Sequence, residues 1–228
     1  MFESLFFFLA DFLMFTPENY LRLISHYNRE TWPLPLLALL LGTANLVLIK
    51  SRYLHRDRLI NLSLVCHWLW VGIVFHYYYF SAINWAAPAF ALLFVLQAVQ
   101  LAIFGVLQNK IHYQTPLTQL SYIGLFIYLF ALLFYPGITA YLHQDWQQAG
   151  YYGVSADATC LATMGLLLMT KSRSRYYLIL PLIWCLLSAA MAWVMAFKQA
   201  SILLLIAVFI CLFKTFPAPI YRKKQPRT

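Results

Sequence analysis

Charge is the first thing this chain is short of. Asp, Glu, Lys and Arg make up 10% of its 228 residues, and only seven of them are acidic; an ordinary soluble domain devotes about a quarter of its residues to charge. A Gly-rich or Ser-rich linker is also missing, as is any long polar segment, which excludes a separate soluble domain of ordinary size and leaves one domain. Cysteine is sparse and unpaired in pattern. Cys66, Cys160, Cys185 and Cys211 each stand alone in an apolar run, with no C-x-x-C and no zinc spacing, so each is expected as a small buried apolar side chain. The opening MFESLFFFLADFLMF lacks the basic start and the cleavage site of a secretion signal and carries Glu3 and Asp11, so it is expected to be retained.

What is abundant is hydrocarbon. Hydrophobic residues make up 63% of the chain. Seven apolar runs, about 33–49, 59–80, 86–107, 117–136, 154–170, 176–197 and 200–216, come close to the roughly 17 to 25 residues that cross a bilayer as a helix. The expected fold is an all-α membrane protein, a bundle of about seven transmembrane helices. Phe197-Lys198-Gln199-Ala200 has to turn tightly between the last two. Residues 1–32 are expected as an interfacial segment, 33–216 as the bundle and 217–228 as a basic tail.

The basic residues orient this bundle, because Lys and Arg in short loops stay cytoplasmic. Lys50, Arg52, Arg56, Arg58, Lys110, Lys171, Arg173, Arg175, Lys214, Arg222, Lys223, Lys224 and Arg227 fall on one side, thirteen of the sixteen, leaving Arg22, Arg29 and Lys198. The N-terminus is therefore expected outside and the C-terminus in the cytoplasm. The formal charge of +9 is then topology, with anionic lipid rather than nucleic acid as the partner of the basic loops.

Thr16-Pro17-Glu18 reads as a helix start, with Thr16 as the cap, Pro17 in the first helical position and Glu18 at the positive end of the dipole. In the helix that follows, Tyr20, Leu23, Ile24 and Tyr27 share one face, as in an element lying in the membrane interface.

Polar groups inside the spans are expected to face the bundle interior. Ser63, His67, Trp70 and Tyr77 form one stripe, with His76 pointing away; Gln97, Gln100 and Gln108 share a face; Ser121, Tyr128 and Tyr135 repeat every seven residues; Asp157, Cys160, Thr163 and Met164 line one side of the fifth span. His67, near mid-membrane, is expected to be neutral and bonded to Gln97 or Tyr128. Such groups act either as interhelical hydrogen bonds or as ligand contacts. The outer side collects Tyr27, Asn28 and Trp32, then His76 with Tyr77 to Tyr79, Asn84 and Trp85, then Asp157. Asp157 sits in the first turn of the fifth span, where Ser155 can cap and the dipole favours an acid. Tyrosine and tryptophan rings also gather at any membrane interface.

F-T-P-E-N-Y-L (15–21), Y-N-R-E-T-W-P (27–33), W-V-G-I-V-F-H with F-S-A-I-N-W-A-A (70–87) and Y-G-V-S-A-D-A-T-C-L-A-T-M-G-L-L-L (152–168) together resemble a family of uncharacterised small bacterial integral membrane proteins, a domain of unknown function whose members are often labelled permeases. The resemblance implies a multi-pass protein of the bacterial inner membrane with no established activity. In that pattern a proline follows the asparagine of the first outer loop and Cys-Pro-Thr-Thr enters the fifth span. This chain has Trp85 and Asp157-Ala158-Thr159-Cys160 there, while Tyr27, Asn28, Trp32, Pro33, His76 and Asn84 match.

Three functions stay open. The polar interior suits a permease or carrier, and for an uncharged solute, since no Asp, Glu, Lys or Arg lies near a midplane. An accessory or structural subunit of a membrane complex, with a membrane-protein partner, needs no such interior. A histidine-dependent metal or redox enzyme needs paired ligands, which the spacing does not supply, and no cofactor is expected.

Overall fold

The computed structural model describes residues 15–170 and 175–215. Among the described residues eight helices longer than a single 3-10 turn follow in order: α1 (Pro17–Glu30), α2 (Leu34–Lys50), α3 (Arg56–Ala82), α4 (Ala87–Leu107), α5 (Gln119–His143), α6 (Ala156–Leu168), α7 (Tyr176–Val194) and α8 (Lys198–Thr215). Of these, α3, α4, α5 and α7 are long and apolar enough to cross a membrane. Helices α1 and α2 meet at a 78° bend, and α6 with Lys198–Leu212 of α8 are shorter apolar helices. Lys171, Arg173 and the 217–228 tail lie outside the described residues, as do residues 1–14.

The start of α1 is built as its sequence dictates. The Thr16 hydroxyl accepts from the Asn19 N–H at 3.3 Å, Pro17 occupies the first turn and Glu18 follows it. Backbone N–H groups and the Thr16 hydroxyl hold the Glu18 carboxyl below its usual value. Ile24 and Tyr27 are buried against the bundle, with Tyr20 and Leu23 packed beside them.

Helix α6 is the axis. All its residues except Asp157 are buried, because α3, α5, α7 and α8 surround it. Cys160, Thr163 and Met164, expected to face the interior, are fully buried, and the rest of the helix is buried with them apart from the partly buried Asp157. Its 13 residues span only about 20 Å at 1.5 Å per residue, short of a hydrocarbon core of about 30 Å. The irregular chain at its ends is tolerable at membrane depth because protein covers it. Its closest neighbour is α5, where Gly124 and Gly165 face each other: a Cβ on Gly165 would lie 2.6 Å from the Tyr128 nitrogen and 2.7 Å from the Gly124 oxygen. Two helices approach that closely only over small residues.

Three of the long helices widen to π-helix, at Val71–Tyr79 in α3, Ala102–Leu107 in α4 and Phe130–Phe134 in α5. In α3 the wider turn changes the register of everything after Trp70. His76 is fully buried as a result, while Tyr77, placed on the interior stripe by a uniform 100° rotation, is exposed. The stripe Ser121, Tyr128 and Tyr135 in α5 is buried throughout. Of the cysteines, Cys66 is exposed on the outside of the bundle, and the other three are buried. Between α7 and α8 the chain turns at Met195, Ala196 and Phe197, with Ala196 at φ 64° and the Phe197 N–H bonded to the Ala192 carbonyl.

The end of the bundle opposite α1 is held by one residue pair. Arg56 donates to the carbonyls of Ile49, Ser51 and Tyr113, closing the end of α2 and tying it to the α4–α5 connection. Asp57 accepts from the Tyr113 N–H at 3.1 Å and meets His112 Nδ1 at 3.1 Å.

Candidate functional site

A cavity of about 70 Å³ lies between α1, the last part of α3, the second half of α5, the start of α6, α7 and the turn into α8. Its position follows from three local features. Pro136 and the π segment before it carry Tyr135 inward; the 149–154 loop bends α6 into the bundle; and α1 lies across the top.

Asp157 is the acid of the cavity. The Trp184 indole donates to its Oδ1 at 2.9 Å and the Tyr135 hydroxyl to its Oδ2 at 3.1 Å. Both oxygens therefore serve as acceptors for neutral donors. Among the described residues the ion pairs are Arg56 and His112 with Asp57; Asp157 has no cationic partner, and neither Lys nor Arg lines the cavity. Ser155 has the extended backbone of a cap, yet its hydroxyl bonds nothing. The capping role expected of it is not filled, because Thr159 intervenes, donating to the Ser155 carbonyl and accepting from the Gly153 N–H.

Tyr27 and Asn28 line the cavity and fasten its roof. The Tyr27 hydroxyl donates to the Val154 carbonyl at 3.0 Å and accepts from the Trp70 indole at 2.9 Å. Asn28 donates to the carbonyls of Gln147 and Ala149. Trp32 stands apart, 60% exposed over a shallower depression with Arg29 and Trp146. His76 lies behind the wall, its ring 4.7 Å from those of Phe94 and Trp184 and neither nitrogen bonded. Asn84 caps a turn, its Oδ1 accepting from the Ala86 N–H. Tyr27, Asn28 and Asp157 thus converge, His76 touches the site through Trp184, and Trp32 and Asn84 lie elsewhere. Trp184, Ser188, Thr139 and Gly150 also line it, as does His143, whose Nδ1 lies 3.2 Å from the Gln148 carbonyl oxygen. The only signal for the first two was the i, i+4 spacing that places Trp184 and Ser188 on one face of α7.

The interior group divides differently. His67 is buried with neither nitrogen bonded, edge-on to Tyr152 at 4.7 Å and pressed against Gly153. Its expected partners are engaged elsewhere: Gln97 donates to the Tyr177 carbonyl at 3.2 Å and Tyr128 to the Gly42 carbonyl at 2.8 Å. Gln100 holds a buried, unbonded amide oxygen. Neither His67 nor Gln97 lines the cavity. Among the described residues, no three His, Cys, Asp or Glu side chains are grouped to hold a metal ion.

Residues 17–220 match a family of unknown function, DUF6064, and the chain belongs to it. No curated protein and no solved structure matches the chain.

Proposed function

We propose that this member of the DUF6064 family is a seven-span protein of the bacterial inner membrane, with its N-terminus outside, and that it carries a small solute through the cavity between α1, α5, α6 and α7. Helices α2 through α8 supply the seven spans, with α6 shielded from lipid. The thirteen basic residues on one side support the orientation. The observation that carries the carrier reading is the cavity itself: mostly apolar, with several rings and a few polar groups among its lining residues. Beneath it, Met164 and Cys185 of α6 and α7 touch at 3.7 Å, so passage requires these two helices to part. The π segment that reaches the cavity in α3, and the one that ends just before Tyr135 in α5, give the helices next to it irregular turns that can shift.

The test is uptake into proteoliposomes from a panel of labelled amines, amino acids and polyols. Wild-type protein should accelerate the entry of one class. Ser188→Trp, which fills the cavity from α7, should abolish that gain while the protein stays folded. Binding without flux of any class would overturn the carrier reading and leave an accessory subunit that senses a solute.

A further inference from the structure

We propose that the solute is a small organic cation, an ammonium on an apolar body, with its charge on Asp157 and its body against the rings of α1, α3 and α7. The inference rests on the cavity being a solute site and goes beyond it by naming the class.

Three observations meet. First, the Asp157 carboxyl is held by neutral donors, Trp184, Tyr135 and Ser188, and no cation stands beside it, so a bound ammonium would supply the countercharge that its buried ionised form lacks. Second, the walls are rings: Tyr20, Phe75, Phe80 and Trp184 all line the space, with Tyr20 and Phe80 edge to face at 5.8 Å and Phe75 stacked on Phe80 at 5.7 Å. Ring faces attract cations, and more strongly where water is excluded. Third, Gln148 Oε1 and Ser155 Oγ belong to lining residues and are buried without a protein partner. Both can accept from N–H groups, as an ammonium would offer. A bare metal ion fits less well, since it seeks several oxygen ligands where this cavity offers mostly carbon. An anion would meet the Asp157 charge with no Lys or Arg to offset it. The uncharged solute expected from the empty midplane left Asp157 out, because its place at the head of α6 makes it part of a cavity rather than of a membrane centre.

The probes are benzylammonium, benzyl alcohol and benzoate, which share a ring and differ in charge. Each is titrated against the full-length protein in detergent by thermal shift, with Kd from calorimetry. Benzylammonium should raise Tm, and the alcohol and benzoate should not. Asp157→Asn, which keeps an acceptor for Trp184, should weaken benzylammonium by about tenfold or more, the size expected when one charged partner is lost; Asp157→Glu should keep most of the affinity. Ser188→Trp should abolish the shift. Equal binding of benzyl alcohol and benzylammonium, retained in Asp157→Asn, would overturn the cation assignment and leave the cavity as a neutral-solute site. A shift that survives Ser188→Trp, or no ammonium shift at all, would overturn it too. Proteoliposome flux is a separate readout, so an ammonium that binds here without being carried defeats the carrier reading alone.

Discussion

Replacing Gly165 by alanine isolates what holds the bundle axis in place. A methyl group at this position would sit 2.6 Å from the Tyr128 nitrogen, 2.7 Å from the Gly124 oxygen and 3.0 Å from the Tyr128 Cα. All three are backbone atoms of α5, so no side chain can turn aside. Ordinary contact needs about 3.5 Å or more between such atoms. The helices must therefore separate by the better part of an ångström along their whole crossing, loosening the packing on either side. Overpacking of this kind costs about 1–3 kcal/mol. Alanine also favours the helix by about 1 kcal/mol over glycine, which works the other way. Gly137 in α5 measures that second effect alone, because a Cβ there meets nothing closer than Trp146 at 4.0 Å. Gly137→Ala should stabilise by up to about 1 kcal/mol. Gly165→Ala should instead destabilise by up to about 2 kcal/mol net, the clash minus the propensity gain. The assay is reversible unfolding of both variants in mixed micelles of mild detergent and dodecyl sulfate. If Gly165→Ala is as stable as Gly137→Ala, α6 does not cross α5 by backbone contact and its place as the axis is wrong.

Gly153→Ala should cost at least about 1–2 kcal/mol, since φ is +73° and the new methyl would press on His67 at 2.5 Å; a wild-type melting temperature would refute the turn that leads into α6. Arg56→Lys should destabilise measurably, because a single ammonium cannot reach the three carbonyls that the guanidinium fork joins, and an unchanged unfolding midpoint would show that this end of the bundle is held otherwise. His76→Phe should be neutral or stabilising by up to about 1 kcal/mol, as it replaces a buried ring without hydrogen bonds by an apolar one of similar shape; strong destabilisation would mean that the imidazole nitrogens do have partners.

Much of the fold was legible because it rests on local chemistry. Runs of apolar residues locate the helices, Thr16-Pro17-Glu18 starts α1 where the chain has those residues, and the seven-residue repeat Ser121, Tyr128, Tyr135 puts the right side of α5 inward. A turn before α8 was expected at Phe197 to Ala200, but it lies at Met195 to Phe197, and Lys198, Gln199 and Ala200 already belong to α8. What stayed hidden depends on neighbours. A helix wrapped by its neighbours on nearly every side shows no contrast between a buried and an exposed face, so the central place of α6 was not legible. The π segment of α3 breaks the 100° periodicity on which side assignment rests, and so Tyr77 was turned inward. Trp184 and Ser188 read as ordinary residues of an apolar helix until Asp157 was seen beside them. For His67 the burial was right and the partners were not, because Gln97 and Tyr128 each found a carbonyl on another element.

The central claim, a cavity open to the outside and carried by a bundle with its basic loops in the cytoplasm, is tested most directly by cysteine accessibility in intact cells. With the four native cysteines replaced, single cysteines are placed at Thr139 and Ser188 in the cavity and at His112 beside Asp57, at the other end. A small membrane-impermeant thiol reagent should label positions 139 and 188 from outside and position 112 only after the membrane is permeabilised. Labelling of position 112 in intact cells, with 139 and 188 silent, would contradict the account.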